Sequence, residues 1–268
     1  MLPIRLLTLG FLVTAKSGIG LAVPDSQHGS LNIKRDAQSD FFGPHGVEYT
    51  QCFQNSKEGF QSDGFLATLA TWIKLHPNNT EDLVTYDEKT DKATYHLHNI
   101  PKNSYLTLTG KVVDTQDRVV EHSKLLSGAD GPDDSWFVKG AETAACMVEG
   151  TEGYKDNKIQ DRAAGLAIWI LTGRQPYQGA FVTRTDLFEE VKISDHSMLT
   201  LLTKKDASKH LSPDTWVGVM RFEGTTEEGM KMKLWDPTHN KSYWVSLKDA
   251  YDEIYVHSKI RDEKVTSI

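Results

Sequence analysis

Residues 58–72 read EGFQSDGFLATLATW, and this stretch predicts a helix at the centre of the fold. Its apolar positions recur at helical spacing at Phe65, Leu66, Leu69, Trp72 and, one residue on, Ile73. Asp63 stands where it can cap the first turn, Ser62 before it is a second cap candidate, and Pro77 ends the pattern. The stretch therefore predicts a buried helix that starts near Asp63, with its N-terminus leaving a loop.

Strands and further helices follow this helix. Two segments alternate with period two around polar turns, at residues 83–100 and 105–122. Helical spacing returns at residues 134–154 and 160–176, where Gly173 and Pro176 close the second helix. Residues 215–224, 229–237 and 242–247 predict strands, with a short last helix over 249–255. Helices first and strands later indicate an α+β fold.

The beginning of the chain is typical of an exported protein. Arg5 precedes the apolar run LLTLGFLV, which is too short to span a bilayer and predicts a signal peptide over residues 1–22. Residues 23–35 are polar and predict a propeptide or linker that ends in the dibasic pair Lys34 and Arg35. Two solvated charges in a loop explain the pair equally well. We therefore expect a secreted, extracellular protein without a membrane anchor.

The charge of the chain limits the kinds of partner that it can bind, and its cysteines bear on disulfide formation. The net charge of −7, with scattered basic residues, makes a nucleic-acid partner or an anionic membrane surface a poor fit. The only cysteines, Cys52 and Cys146, predict a disulfide in an oxidising compartment; two buried free thiols or one reactive thiol remain alternatives. Sequons at Asn78 and Asn240 predict glycosylation. His96 and His98 share one strand face, but without a third ligand a metal pair is the weaker interpretation.

In this order, the segments resemble the catalytic core of calpain-like cysteine proteases, a branch of the papain-like superfamily. Residues 58–72 align without a gap with the family pattern QGxxGDCWxLAAxASL. Further segments align with WxxLLEKAYAKxxGSY, EALxxLTGG and LRNPWGxxxWxGxWS. The matching residues are Gly59, Asp63, Leu66, Ala67, Trp136, Glu142, Ala144, Tyr154, Leu171, Thr172, Gly173 and Pro237. The resemblance implies a two-lobe papain-like fold, with a first lobe over residues 36–176 and a β-rich second lobe over 177–268.

The catalytic positions of that family are degenerate in this chain. Glu58 stands at the oxyanion glutamine, Gly64 at the nucleophilic cysteine, and Asp236 at the asparagine. Asp214 or Thr215 falls on the histidine, so Asp236 has no histidine of the family pattern to orient. Cysteine protease chemistry needs a thiolate, an imidazole and an oxyanion donor, and these positions supply none of the three. The resemblance thus implies a pseudoprotease without a cofactor that acts by binding a protein or peptide, as an effector, decoy or inhibitor.

Other interpretations remain open at this point. An active endopeptidase could use a relocated nucleophile, with Cys52 as the nearest thiol, and a structural extracellular protein would have no use for the cleft. Four histidines are expected to be ordinary surface residues: His45, His76, His210 and His239. If Glu58, Asp63, Asp214 and Asp236 converge, the cleft is expected to bind a cation or a basic peptide. Calcium would follow from the family resemblance alone.

Overall fold

The computed structural model describes residues 41–43, 47–53, 62–77, 79–100, 114–125, 135–148 and 163–260. Several predictions lie outside these residues. They are the signal peptide, the segment over 23–35 with Lys34 and Arg35, His45, Glu58, Asn78 and the first half of the hairpin over 105–122. Everything below concerns the described part of the chain.

Three helices and a small sheet form the first half of the fold. The helices are α1 (Asp63–Leu75), α2 (Phe137–Cys146) and α3 (Ala163–Thr172), and the strands are β1 (Val84–Asp87), β2 (Lys92–His98) and β3 (Thr115–Glu121). The strands pair antiparallel in the order β1-β2-β3. All six elements lie in segments where the sequence predicts their type.

α1 is buried along nearly its whole length, as its apolar spacing predicts. Every residue from Gly64 to Ile73 is buried, and α1 packs against α3 and against the larger sheet of the second half. The largest enclosed side chains of this first core include Trp136, Phe41 and Tyr95, whose hydroxyl donates to the Phe137 carbonyl oxygen at 2.6 Å. Gly173 ends α3 in the left-handed region, with φ of 66°.

The second half is a six-stranded antiparallel sheet in the order β4-β9-β5-β6-β7-β8. Its strands are β4 (Pro176–Gly179), β5 (Leu199–Thr203), β6 (Trp216–Glu223), β7 (Lys231–Asp236), β8 (Lys241–Ser246) and β9 (Ile254–Ile260). Two helices, α4 (Arg184–Ile193) and α5 (Leu247–Glu253), pack with the sheet around a second core. The sequence pattern missed four elements, α4, β4, β5 and β9. The predicted last helix, over 249–255, ends at Glu253, two residues early.

A close approach of α1 to β6 joins the two halves. Gly218 on β6 has no side chain, and a Cβ there would lie 2.9 Å from the Ala67 carbonyl oxygen and 3.0 Å from Thr71 Cγ2. Glycine therefore lets the helix backbone rest directly on the sheet. The arrangement is α+β, as predicted, and it places the N-terminus of α1 beside the first residue of β6. Among the described helices, none combines the length and apolar character that crossing a membrane requires.

Candidate functional site

The candidate site begins at the N-terminus of α1, where Asp63 links the helix to the sheet. One carboxylate oxygen, Oδ1, accepts the backbone N–H of Gly64 at 2.9 Å. The other, Oδ2, accepts the backbone N–H of Trp216, the first residue of β6, at 2.8 Å. Asp63 thus satisfies a free donor of the helix terminus and a donor of a strand 153 residues away at the same time.

Three of the four acidic positions singled out in the sequence converge here. Burial raises the pKa of Asp63, its two N–H donors pull in the opposite direction, and the negative charges of Asp214 and Asp236 raise it further. The fourth position, Glu58, lies outside the described residues. The predicted acidic character of the site therefore holds for Asp63, Asp214 and Asp236.

Asp236 is fully buried and orients a histidine, contrary to the expectation from the sequence. It accepts the hydroxyl of Ser212 at 2.7 Å and the backbone N–H of His239 at 3.0 Å. The Nδ1 atom of His239 lies 3.0 Å from Asp236 Oδ2, and the ring is half-exposed. An imidazole whose Nδ1–H donates to a carboxylate presents Nε2 as its acceptor. His239 is thus a half-exposed surface histidine that is paired with Asp236.

A sequence signal for this pair exists in the turn between β7 and β8. An aspartate at the start of a tight turn accepts backbone N–H groups two or three residues on, and Asp-Pro-Thr-His fits that pattern at positions 236–239. In the family pattern the histidine lies about 20 residues before the position of Asp236. The resemblance therefore did not indicate His239, which follows Asp236 by three residues.

Glu253 holds the loop that carries Asp214 and Ser212 to the site. Burial alone would raise the pKa of Glu253, but the backbone N–H groups of Lys209, His210 and Leu211 outweigh it and hold the pKa below its usual range. Asp214 itself is exposed, with a left-handed φ of 49°, and its N–H donates to the Lys204 carbonyl oxygen at 3.1 Å. The loop is therefore held from α5 by Glu253 and from the site by the Ser212–Asp236 hydrogen bond.

Ser62 does not cap α1 through its side chain, which corrects the second prediction for this helix start. It stands at the N-cap position, but its hydroxyl donates to the buried carboxylate of Glu142 on α2. A buried carboxylate needs a donor, and this need outweighs the local cap. The sequence did not predict this hydrogen bond, because Ser62 and Glu142 are 80 residues apart.

Both cysteines are free thiols in the structure, so the predicted disulfide between them is absent. Cys52 has no solvent exposure, and Cys146 ends α2 and is partly buried. Burial, and secondly the charge of Glu142, raises the pKa of Cys52 well above its usual range and that of Cys146 to about 12. Both therefore stay protonated at neutral pH and pack as small apolar groups.

The remaining predicted residues lie apart from the site. His76 stacks on Trp72 at 4.5 Å, and His210 lies 3.8 Å from Asp249 on α5. His96 shares a strand face with His98 but contacts Asp117 at 2.8 Å. In the described part of the chain no group of three or more histidine, cysteine, aspartate or glutamate residues is arranged to hold a metal ion. Asn240 is exposed in the turn after His239, as a glycan acceptor requires.

Comparison with known proteins adds no family. No protein-family model matches the chain, and no curated protein matches it at a significant level.

Proposed function

We propose that this protein is a secreted, calpain-like pseudoprotease that binds a basic peptide segment of a protein partner and does not cleave it. The observation that carries the proposal is the N-terminus of α1. The family that this chain resembles has a reactive cysteine at this position, and this chain has Gly64. Asp63 precedes Gly64, and Asp214 and Asp236 lie close enough to Asp63 for their charges to raise its pKa. A papain-like division into two lobes agrees with the two separate hydrophobic cores and with α1 packed between them.

The state of the two thiols supports a non-catalytic role. Nucleophilic catalysis by cysteine needs an accessible thiolate, and burial favours the protonated thiol in Cys52 and Cys146. The imidazole of His239 is oriented by Asp236 and is a type of group that catalysis can use. Within the described residues, however, no serine or cysteine side chain hydrogen bonds to it, and the Ser212 hydroxyl donates to Asp236 instead. These contacts speak against a relocated nucleophile.

The charge of the site favours a cationic ligand. Asp214 is exposed beside the partly buried Asp63 and the fully buried Asp236, so it is the member of the three that a ligand reaches most easily. Lys204, which accepts the Asp214 N–H through its carbonyl oxygen, directs its own ammonium to the Asp252 carbonyl oxygen at 2.6 Å. The charge of Asp214 is therefore available to a Lys or Arg side chain. Because the described residues include no metal-holding group, a basic peptide fits better than calcium.

Calorimetric titration of the purified protein with a Lys/Arg-rich peptide tests the ligand. Asp214→Asn keeps the side-chain shape and tolerates the left-handed backbone, so it removes the charge alone. We expect it to weaken binding about threefold, as loss of one exposed charge pair does. Asp206→Asn is the matched control, since Asp206 is exposed on the same loop, and it should leave binding unchanged. Absence of binding, or equal losses in both variants, would refute the basic-peptide ligand.

The absence of catalysis needs a separate measurement. The protein should not cleave a mixture of fluorogenic peptides, and a thiol-reactive epoxide should leave Cys52 unmodified. Proteolysis that is lost in Cys52→Ala, together with epoxide labelling of Cys52, would establish an active endopeptidase instead. If both assays are silent and no peptide binds, a structural role without a functional cleft becomes the better explanation.

A further inference from the structure

A row of basic and aromatic side chains crosses the open end of the six-stranded sheet. Arg221 on β6 lies opposite Lys233 on β7, and Lys233 lies opposite Trp244 on β8. Directly opposite residues point to the same face of a sheet, so the three side chains are neighbours. Trp244 is 43 % exposed, which is high for a tryptophan, and Arg221 is also exposed. We call Arg221, Lys233 and Trp244 the basic row.

The basic row is the exposed end of a sheet face that α1 covers further along, since Trp235, two residues from Lys233, is buried in the first core. Met232 and Val245 alternate with the basic row along β7 and β8 and are buried in the second core. The next pair outward is Lys231 opposite Glu223, and Glu223 lies 3.9 Å from Arg221. Among the described residues, this end of the face therefore carries three cations and one carboxylate. The two glutamates of the turn between β6 and β7, Glu227 and Glu228, pair with Arg184 on α4 instead.

β8 forms one edge of the sheet. It pairs with β7 on one side, and it is the last strand in the sheet order. Within the described residues, the backbone of residues 241–245 has no backbone hydrogen-bond partner outside β7, and Ser246 is the N-cap of α5. An edge strand directs alternate N–H and C=O groups outward, where an extended peptide can pair with them. An open edge and a basic row thus meet at Trp244.

We infer that the edge of β8 and the basic row bind an extended, acidic segment of a partner protein by adding it as a seventh strand. Its backbone pairs with β8, and every second side chain lies on the outer face beside Trp244. Lys233 stands one strand further in, about 10 Å from the added strand, where a long acidic side chain meets its ammonium. Charge complementarity selects acidic side chains, because the exposed face carries an excess of cations in a chain whose net charge is −7. This surface is distinct from the site at Asp63 and Asp214.

Fluorescence anisotropy with a labelled, end-capped peptide of alternating glutamate and valine tests the inference at about 0.15 M salt. We expect saturable binding that Lys233→Glu weakens at least about fivefold and that Trp244→Ala also weakens. Lys205→Glu is the matched control, because Lys205 is exposed on another loop, and it should change affinity less than about twofold. Circular dichroism spectra that match the wild type show that each variant is folded.

Two further probes separate strand addition from general attraction to anions. A peptide with N-methyl groups on alternate residues keeps its charges but cannot donate to β8, so its binding should be lost. Equal binding of the N-methylated peptide, no binding of the acidic peptide, or an equal loss in Lys205→Glu would overturn the inference. Displacement by an anionic polysaccharide without any effect of N-methylation would assign the surface to a glycan. A dimer in sedimentation that Trp244→Ala dissociates would assign it to a second copy of the chain.

Discussion

Replacing Asp63 by alanine should destabilise the protein more than any other single change at the candidate site. The carboxylate is the acceptor for two backbone donors, the N–H of Gly64 and that of Trp216. Alanine leaves both without their partner, one at the terminus of α1 and one at the start of a buried strand. The link between the helix and the sheet would be lost at the point where the two halves of the fold meet.

The magnitude follows from those two bonds. A hydrogen bond to a charged group contributes about 1.5–3 kcal/mol, so the pair contributes about 3–6 kcal/mol. Part of this is offset, because burial and the charges of Asp214 and Asp236 disfavour the ionised form of Asp63. We therefore expect Asp63→Ala to lower the free energy of unfolding by about 2–4 kcal/mol at pH 7. Asp63→Asn keeps one acceptor oxygen and should lose about half as much.

Urea denaturation followed by tryptophan fluorescence measures the loss, and Asp206→Ala is the control for an exposed aspartate. Native-state hydrogen exchange adds a local readout, since the amide proton of Trp216 should exchange faster in Asp63→Ala. A loss below about 0.5 kcal/mol, or one that Asp206→Ala equals, would refute the assigned role of Asp63.

Two further predictions concern the second half of the fold. His257 is buried and stacked on Phe181 at 4.1 Å; burial, and secondly Lys259, lowers its pKa to about 4. A histidine in the unfolded chain has a pKa near 6.5, so the unfolded state takes up a proton at a higher pH than the folded state does. The free energy of unfolding should therefore be unaffected by His257 above pH 6.5 and should fall by about 2 kcal/mol as the pH drops to 4. Urea midpoints across that range should show a smaller fall in His257→Gln, and equal slopes would contradict the assignment. Gly218→Ala should cost about 1–3 kcal/mol of unfolding free energy because its Cβ meets the backbone of α1. Gly229→Ala, whose Cβ would lie 3.0 Å from the Thr226 hydroxyl oxygen, should cost less in the same assay.

The candidate site was only partly predictable. The sequence indicated Asp63, Asp214 and Asp236 as one acidic group, because the aligned segments suggested it, and these carboxyl groups do influence one another. It did not indicate the Asp236–His239 pair or the Ser62–Glu142 bond, although the first lies within four residues. The helix α4 was missed because only Leu187 and Val191 in it are buried, so its apolar periodicity is weak. The capping box of Thr183 and Asp186 was the available sequence signal for its start. β9 was missed because its alternation is irregular, with Ile254, His257 and Ser258 buried.

The sequence by itself determined the position of α1, the strands β1, β2 and β6–β8, and the absence of a reactive side chain at Gly64. These follow from periodicity and residue identity, which depend on neighbours a few residues away. Tertiary structure alone decided which groups meet: Asp63 with Trp216, Ser62 with Glu142, and the basic row with an open sheet edge. It also decided that Cys52 is buried, that Cys146 is partly buried, and that both thiols stay protonated. Hydrogen bonds and desolvation depend on distances between segments far apart in the chain, and local pattern contains no information about those distances.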